Sequence, residues 1–406
     1  MATLTYCTNV HPGATLAEVE RSLDTWTVPV ARAIAGDAAS FPVGLFVSAA
    51  TAAELSDPSR LARFAEFLGE RRLAIATFNC FPYGGFHAER VKLAVYRPSW
   101  LDEERVTFTL QAARVAAKLA PAGLVVPIST LAGSCKEFGS GGAIDAAIAR
   151  NLARVAAELA NLRAETGREI VLCLEPEPFT TLETSAEAVA FFREHVHSRA
   201  TRAAFVAAGG ASIDADDALT RHVGVCFDAC HQAVEFEESA AAIDRLIAGG
   251  VRIGKLQLSN ALAIRPEIDR AATLDELSAF VEPRWLHQAL LRAPDGGIDR
   301  HLDLAAGMAA LLSAPPGTEM RIHYHVPIDR SELGVLATTR RELGQVVAAA
   351  LATRATECLE VETYTFPSLP KVAEQRTLVD ALIGELRFAR RLIDGSELIS
   401  THRDSN

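Results

Sequence analysis

Residues 225–231, with the sequence VCFDACH, form an apolar run of strand length that ends abruptly in a carboxylate and an imidazole. A charged side chain at the end of a buried strand is costly unless a cation or a hydrogen-bond donor meets it. Asp228 therefore predicts a polar site at the rim of a sheet. Four further apolar runs end in the same way, in acid, amide or imidazole side chains: residues 170–175 (IVLCLE), 253–260 (IGKLQLSN), 321–327 (RIHYHVP) and 359–365 (LEVETYT).

Three acids of these runs are the main candidates for a functional site. Glu175, Asp228 and Glu362 each end a different run. If the strands are parallel neighbours, their final side chains meet at one rim, and residues two apart share a face. A metal ion or a polar substrate needs this arrangement. Because buried carboxylates are normally paired or metal-bound, we expect these three acids to have a metal-binding or catalytic role.

The order of apolar runs along the chain predicts the fold. Runs of strand length alternate with longer stretches of helical period, which is typical of a parallel sheet with crossover helices. Apart from the run that carries His323, eight strands alternate with helices, and this count predicts an α/β fold, the (β/α)8 barrel, whose active sites lie at the carboxyl ends of the strands. We expect one domain over residues 1–396, with an inserted, partly helical excursion over 261–320 between strands seven and eight, and a flexible tail over 397–406.

Composition and charge exclude several classes of protein. Hydrophobic residues make up 49% of the 406 residues and charged residues 22%, as in ordinary globular proteins. The net charge of −11 gives no attraction for nucleic acid. No apolar run reaches the length of a membrane-spanning helix, and the start of the sequence lacks a signal-peptide pattern, so we expect a cytoplasmic protein. The seven cysteines lie mostly in apolar runs and are expected to be reduced.

The remaining polar residues of these runs each allow two interpretations. Glu177 lies between two prolines, which favours a structural role, and Glu360 would lie deeper, where it could pair with Lys255. His323 and His325 share a strand face and would suit either a second metal ion or a substrate hydroxyl.

Candidates for substrate binding come from two loops and from one strand. The segment 81–87, FPYGGFH, is either a lid that turns Tyr83 and His87 inward or an aromatic plug on the barrel rim. Arg284 would supply a cation for an anionic substrate or form a surface ion pair. Lys255 is a further candidate, because it shares a strand face with Gln257.

The motifs LEPEP, FDACHQA, KLQLSNA, IHYHVPI and VETYT, with FPYGGFH upstream, resemble the xylose isomerase-like barrel superfamily of sugar-phosphate isomerases and epimerases, and within it the metabolite-traffic EboE family. The resemblance spans nearly the whole chain. It implies a divalent ion held by Glu175, Asp228, the position of Gln257, and Glu362. The epimerases usually have histidine where this chain has Gln257, and the resulting oxygen-rich site favours Mn²⁺ or Mg²⁺, with Zn²⁺ as the alternative.

Endonuclease members of the same superfamily hold additional zinc ions through an Asp-x-x-His and an Asp-x-His motif. His231, His323 and His325 occupy comparable places in this sequence. The resemblance therefore implies a second metal site at these histidines.

These patterns favour a metal-dependent isomerase- or epimerase-like enzyme that acts on a small polyhydroxylated or carbonyl metabolite. Glu175 and Glu362 would transfer the proton, after their environment has shifted their pKa values toward the working pH. Two alternatives stay open: a multinuclear metal-dependent hydrolase of phosphoester type, and a non-catalytic metabolite-binding or traffic protein of the EboE kind. The expected partner is a small-molecule substrate, and a homo-oligomer is compatible with the sequence.

Overall fold

The computed structural model describes residues 2–265, 270–371 and 374–395. Eight parallel strands form the central sheet: β1 Thr3–Tyr6, β2 Phe41–Phe46, β3 Leu73–Asn79, β4 Val125–Leu131, β5 Glu169–Glu175, β6 Val223–Asp228, β7 Ile253–Leu258 and β14 Cys358–Val361. Their spatial order is β1-β14-β7-β6-β5-β4-β3-β2, so each strand lies beside its neighbour along the barrel sequence. The last strand pairs with the first. The predicted (β/α)8 barrel is confirmed.

The barrel closes between β1 and β2, where Cys7 bridges Gly44 in parallel fashion. Gly44 is required at this seam because a Cβ atom there would lie 1.9 Å from the Glu360 carboxylate and 2.8 Å from the Tyr6 carbonyl oxygen. The barrel interior beneath this seam contains the Glu360 carboxylate, which pairs with Lys255 Nζ at 2.6 Å, both side chains being completely buried. The predicted pairing of these two residues is therefore present.

Helices surround the barrel and follow most of its strands. Local sequence sets their ends: Thr184 and Glu187 form a complete capping box before one helix, and Gly167 ends another in the left-handed conformation. The helices are α1 Leu16–Ser22, α2 Val28–Ala35, α3 Ala49–Leu55, α4 Pro58–Glu70, α5 Glu103–Leu119, α6 Gly142–Thr166, α7 Ser185–Phe191, α8 Arg199–Ala207, α9 Ala215–His222, α10 Ala229–Val234, α11 Ser239–Ala248, α12 Arg270–Ser278, α13 Leu304–Ser313, α14 Arg340–Thr353 and α15 Leu378–Ile393.

A second sheet is inserted between β7 and β14. Its six antiparallel strands are β8 Asn260–Ile264, β9 Ala289–Arg292, β10 Ile298–His301, β11 Glu319–Val326, β12 Glu332–Leu333 and β13 Leu336–Thr338, in the order β10-β9-β11-β8-β13-β12. They pack on α12 and α13 around a small apolar core of their own. We refer to residues 260–338 as the inserted sheet.

The inserted sheet corrects the predicted excursion. Residues 261–320 contain the expected helices, but they also contain β8, β9, β10 and the start of β11, which the prediction missed. None of β8 (NALAI), β9 (ALLR) and β10 (IDRH) alternates apolar with polar side chains over a run of strand length, so no strand signal is present in the sequence there. The run with His323 forms β11, a central strand of this sheet that lies outside the barrel. This agrees with the prediction, which counted eight barrel strands without that run.

The described residues contain no helix long and apolar enough to cross a membrane. All seven cysteines are buried and free, as expected from their apolar surroundings. The predicted flexible tail over 397–406 lies outside the described residues.

Candidate active site and metal centre

The carboxyl ends of the barrel strands bring together the three acids that the sequence singled out. Glu175 is the last residue of β5, Asp228 is the last of β6, and Glu362 directly follows β14. All three are buried, with at most 3% of their surface exposed. One ligand oxygen from each lies within 4.8 Å of those of the other two. Three segments far apart in the chain thus place three carboxylates around one point.

The electrostatics of this acid cluster call for a cation. Burial raises the pKa of Glu175 well above its usual range, and the neighbouring Asp228 carboxylate raises it further. The pKa of Glu362 is raised in the same direction, first by burial and then by Glu175 and Asp228. Glu175 Oε2 and Asp228 Oδ2 are buried without a hydrogen-bond partner among the described residues. Carboxylates this close are ionised together only when a positive charge lies between them.

Neighbouring side chains fix how the acids point. Glu362 Oε1 accepts hydrogen bonds from Asn9 Nδ2 at 2.7 Å and from Asn79 Nδ2 at 3.1 Å. Asp228 Oδ1 accepts from Ser259 Oγ at 2.9 Å and from the backbone N–H of His231 at 2.8 Å. The two asparagines had no predicted role, although each follows or ends an apolar run, which is the signal used for the acids.

Three imidazoles meet beside the acid cluster. His231 lies on α10, and His323 and His325 lie on β11, so the inserted sheet contributes two of the three. The Nε2 atom of His323 lies 3.0 Å from that of His231 and 3.0 Å from that of His325, and the third Nε2 distance is 3.4 Å. All three residues are at most 3% exposed. We refer to these residues as the histidine trio.

Hydrogen bonds at the opposite ring nitrogens decide the tautomers. The Nδ1 atoms of His231 and His325 lie 3.0 Å from the backbone carbonyl oxygens of Pro176 and Glu362, so each must carry the proton and donate. His323 Nδ1 lies 2.6 Å from Gln288 Oε1 and donates to it. Each Nε2 is then an acceptor only, and three lone pairs face one another.

The orientation of the Gln288 amide is itself fixed. Its Nε2 donates to Glu177 Oε1 at 3.0 Å and lies 2.7 Å from the Tyr96 hydroxyl, which leaves Oε1 for His323. Glu177, predicted to have a structural role, is buried and forms part of this network. Gln288 and Tyr96 were not predicted as site residues, because neither ends a barrel strand.

The histidine trio fits a metal ion. In a tetrahedral zinc site with Zn–N bonds of about 2.05 Å, ligand nitrogens are about 3.3 Å apart, which matches the Nε2 distances. Ligating histidines typically donate their other N–H to a carbonyl or an amide, as these do. Asp228 Oδ1 lies 3.9 Å from His231 Nε2, and Asp228 also groups with His231 and His325 as a ligand set within 4.8 Å. Asp228 therefore lies between two adjoining sites.

A cavity lined by side chains of both clusters has an empty volume of about 500 Å³, the space at its open mouth included. Its polar floor consists of Asn9, Asn79, Glu175, Glu177, His231, His323, Glu362 and Tyr364. Its walls are largely apolar. We refer to six of the wall residues as the apolar collar: Phe81, Phe86, Val91, Val95, Trp285 and Leu286.

Two other predicted residues of strand β7 lie inside the barrel. Lys255 is tied to Glu360 and does not line the cavity, so the structure gives it no contact with a substrate there. Gln257 Oε1 accepts from Cys226 Sγ at 3.1 Å, and its buried Nε2 has no partner among the described residues. Its role as a metal ligand stays a prediction.

The three predicted substrate-binding residues of the loops also lie away from the cavity. Tyr83 packs edge-on against Phe108 of α5, on the outside of the barrel. His87 Nε2 lies 2.6 Å from the Asn9 carbonyl oxygen, behind the collar. Arg284 lies with its guanidinium 5.1 Å from the Trp285 ring. None of the three lines the cavity, and the segment 81–87 contributes Phe81, Pro82 and Phe86 to it.

Comparisons with known proteins find solved structures of similar fold, but they assign no family to this chain. No family model matches the chain, and no curated protein matches it. Among solved structures, L-ribulose 3-epimerase is 13% identical over 100% of both chains, with a TM-score of 0.49. A xylose isomerase-like TIM barrel protein from Mycobacterium smegmatis in complex with magnesium is 13% identical over 97% of this chain and 99% of its own, with a TM-score of 0.48.

A third solved structure, the IOLI protein with a zinc atom, is 12% identical over 98% of this chain and 100% of its own, with a TM-score of 0.46. At these identities and TM-scores the likeness carries no argument about the reaction. The resemblance to the EboE family stays a prediction.

Proposed function

We propose that this protein is a metal-dependent enzyme of the isomerase or epimerase type, which moves a proton on a small polyhydroxylated or carbonyl metabolite. The observation that carries the proposal is the convergence of Glu175, Asp228 and Glu362, the first and last of which line the floor of a cavity, with two carboxylate oxygens lacking a partner among the described residues. Proton transfer next to a carbonyl needs a positioned base, a positioned acid and a positive charge near the substrate oxygens.

These three acids are the residues that would hold the ion. Their all-oxygen set suits Mn²⁺ or Mg²⁺, and when bound such an ion polarises substrate oxygens as a Lewis acid. The chain itself supplies the orientation, because Asn9 and Asn79 hold Glu362 in place and Ser259 holds Asp228.

Glu175 and Glu362 are the proposed proton-transferring pair. Burial and mutual repulsion raise the pKa of both carboxyl groups when no ion lies between them, and a bound cation would offset the repulsion and leave the effect of burial. The two amide donors already engage one oxygen of Glu362, whereas Glu175 Oε2 has no partner among the described residues. Glu175 is therefore the better placed of the two to take a proton from the substrate.

Deuterium exchange tests this proposal on a range of compounds at once. Mn²⁺-loaded protein is incubated in D₂O with a panel of aldoses, ketoses and smaller hydroxycarbonyl compounds, and NMR detects deuterium at the carbon next to the carbonyl. We expect exchange on at least one compound, and a loss of about 10²-fold or more in Glu175→Gln and Glu362→Gln. Glu66→Gln, an exposed change on α4, is the control. Full exchange in either site variant would refute the assigned roles.

The histidine trio favours a second candidate function, metal-dependent hydrolysis with more than one ion. Three imidazoles with their lone pairs directed together, and Asp228 between them and the acids, resemble a binuclear hydrolytic centre. This candidate predicts at least two divalent ions per chain by elemental analysis of protein purified without added metal. His323→Ala should remove about one equivalent, and His301→Ala, in β10 of the same sheet, should remove none.

A single equivalent in the unmodified protein would count against hydrolysis and leave the isomerase proposal in place. Tight binding of a metabolite by metal-free protein, with no exchange or hydrolysis, would instead favour the non-catalytic binding protein.

A further inference from the structure

We propose that the substrate carries an apolar group, an aromatic ring or a branched hydrocarbon, next to the oxygen-bearing head that binds at the acid cluster. This inference rests on the proposed function, because the head is assigned to the metal-binding floor. It adds that the apolar wall of the cavity selects the part of the substrate next to the head. It excludes a sugar that carries a phosphate remote from the reacting carbons.

The apolar collar begins directly at the floor. The Tyr364 hydroxyl lies 3.4 Å from His323 Nε2, and the Tyr364 ring packs against Phe86 and Trp285 with centroid distances of 4.9 Å and 5.3 Å. Phe86 and Trp285 also contact each other at 5.6 Å. A substrate whose head binds at this floor therefore has aromatic side chains around its next few atoms.

The collar is held rigidly from two sides of the molecule. Trp285 Nε1 donates to the Phe86 carbonyl oxygen at 3.0 Å, and the backbone N–H groups of Val91 and Lys92 donate to the Arg284 carbonyl oxygen at 2.7 Å and 2.9 Å. The loop after β3 and the inserted sheet thus form one apolar wall. A wall fixed in this way is a binding surface with a defined shape.

Among the described residues that line the cavity, no free cation is available for a phosphate. Lys92 is the only lysine or arginine of this described lining. Its Nζ lies 2.6 Å from Asp303 Oδ2 and donates to the Glu282 carbonyl oxygen at 3.3 Å. A phosphate held within the collar would face apolar side chains and would find no free charged partner among the described lining residues. A neutral apolar group meets no such cost.

Hydroxamates test the inference, because one chelating head can carry different tails. Binding of acetohydroxamate, benzohydroxamate and phosphonoacetohydroxamate to Mn²⁺-loaded protein is measured by calorimetry. We expect benzohydroxamate to bind about ten-fold tighter than acetohydroxamate or better, since its ring is buried against the collar. Phosphonoacetohydroxamate should gain nothing over acetohydroxamate.

Variants locate the preference in the collar. Trp285→Ala should bring the ratio of the dissociation constants of benzohydroxamate and acetohydroxamate close to one. Val95→Ala is a milder change that should reduce the preference in part, and it replaces Trp285→Ala as the test if that variant does not fold. Trp26→Ala is the matched control, since Trp26 stacks on His11 and does not line the cavity. It should keep the ratio of the unmodified protein.

The outcomes separate this inference from the proposed function. Equal binding of the methyl and phenyl compounds, or tightest binding of the phosphono compound, would overturn the inference and leave the metal-binding floor intact. If Mn²⁺-loaded protein binds none of the three hydroxamates, the proposed floor itself is wrong and the inference falls with it.

Discussion

Glu385 is a carboxylate that the fold buries outside the acid cluster. It lies on α15, is completely buried, and its Oε1 accepts from Thr363 Oγ1 at 2.6 Å and from the Ile328 N–H at 3.0 Å. These bonds tie the segment that follows β14, including the residue next to Glu362, to the end of β11. Burial raises the pKa of Glu385 to about 7.

The raised pKa predicts a specific pH dependence of stability. Because the folded pKa of about 7 exceeds the ordinary value of 4.5, the ionised form is disfavoured in the folded state. Glu385 therefore contributes most below pH 4.5, and its contribution falls as the pH rises from 4.5 to 7. Glu385→Gln removes this pH-dependent contribution. The free energy of unfolding of the variant, relative to that of the unmodified protein, should therefore rise by up to about 3 kcal/mol between pH 4.5 and pH 8.

Urea unfolding at several pH values measures this change. Glu66→Gln, at an exposed position on α4, should show no comparable pH dependence. A constant difference between Glu385→Gln and the unmodified protein across this range would contradict the assigned pKa.

At the scale of the element, β2 depends on the absence of a side chain. Gly44→Ala would drive a Cβ atom into the Glu360 carboxylate and the Tyr6 carbonyl oxygen at the closing seam. Moving Glu360 would also disturb its buried ion pair with Lys255. We expect a loss of about 3 kcal/mol or more in the free energy of unfolding, from overpacking and from the weakened pair.

The matched control for the seam is Gly69→Ala in α4, where a Cβ atom would meet nothing within 4 Å. That change should be neutral or stabilise by about 0.5–1 kcal/mol, because alanine is the better helix former. Chemical denaturation of both variants gives the comparison. Equal effects of the two would show that the seam is less tightly packed than these distances indicate.

Elements with strong local signals were predictable from the sequence, and long-range contacts were not. The apolar runs in 170–175 and 225–231 identified β5 and β6 and the acids Glu175 and Asp228 at their ends. The inserted strands β8, β9 and β10 left no such pattern, whereas β11, with eight residues, was recognised by its run with His323. Gln288 was missed because its function depends on the ring of His323, which the sequence places 35 residues away.

The same limit explains the loop after β3. Its aromatic residues predicted either a lid or a plug, and the sequence could not determine which of them point inward. In the structure Phe86 faces the cavity, while Tyr83 packs on α5. An aromatic residue satisfies its packing on either side of a loop, so only tertiary contacts decide the side.

At the scale of the whole molecule, the histidine trio joins two sheets. His231 belongs to the barrel side and His323 and His325 belong to the inserted sheet, and their Nε2 lone pairs face one another within 3.4 Å. Burial lowers the pKa of His325 to about 4 and that of His323 well below its usual range, so neither of these two rings takes up a proton near neutral pH to relieve their contact. A bound cation would convert the repulsion into a cross-link between barrel and insert.

Removal of metal should therefore loosen the junction between the two sheets. We expect chelation with EDTA to lower the melting temperature by roughly 5 °C or more, since a tightly bound ion contributes several kcal/mol to the folded state. Hydrogen exchange should rise around residues 323–326 of β11 and stay unchanged in β2 and β3, which lie on the opposite side of the barrel sheet.

His231→Ala in metal-loaded protein should reproduce the exchange pattern of the chelated protein. His301→Ala should not, because the His301 Nε2 atom lies 2.9 Å from Asp299 Oδ2, away from the trio. If EDTA changes neither the melting temperature nor the exchange of β11, the trio holds no ion, and the two sheets are joined by packing alone.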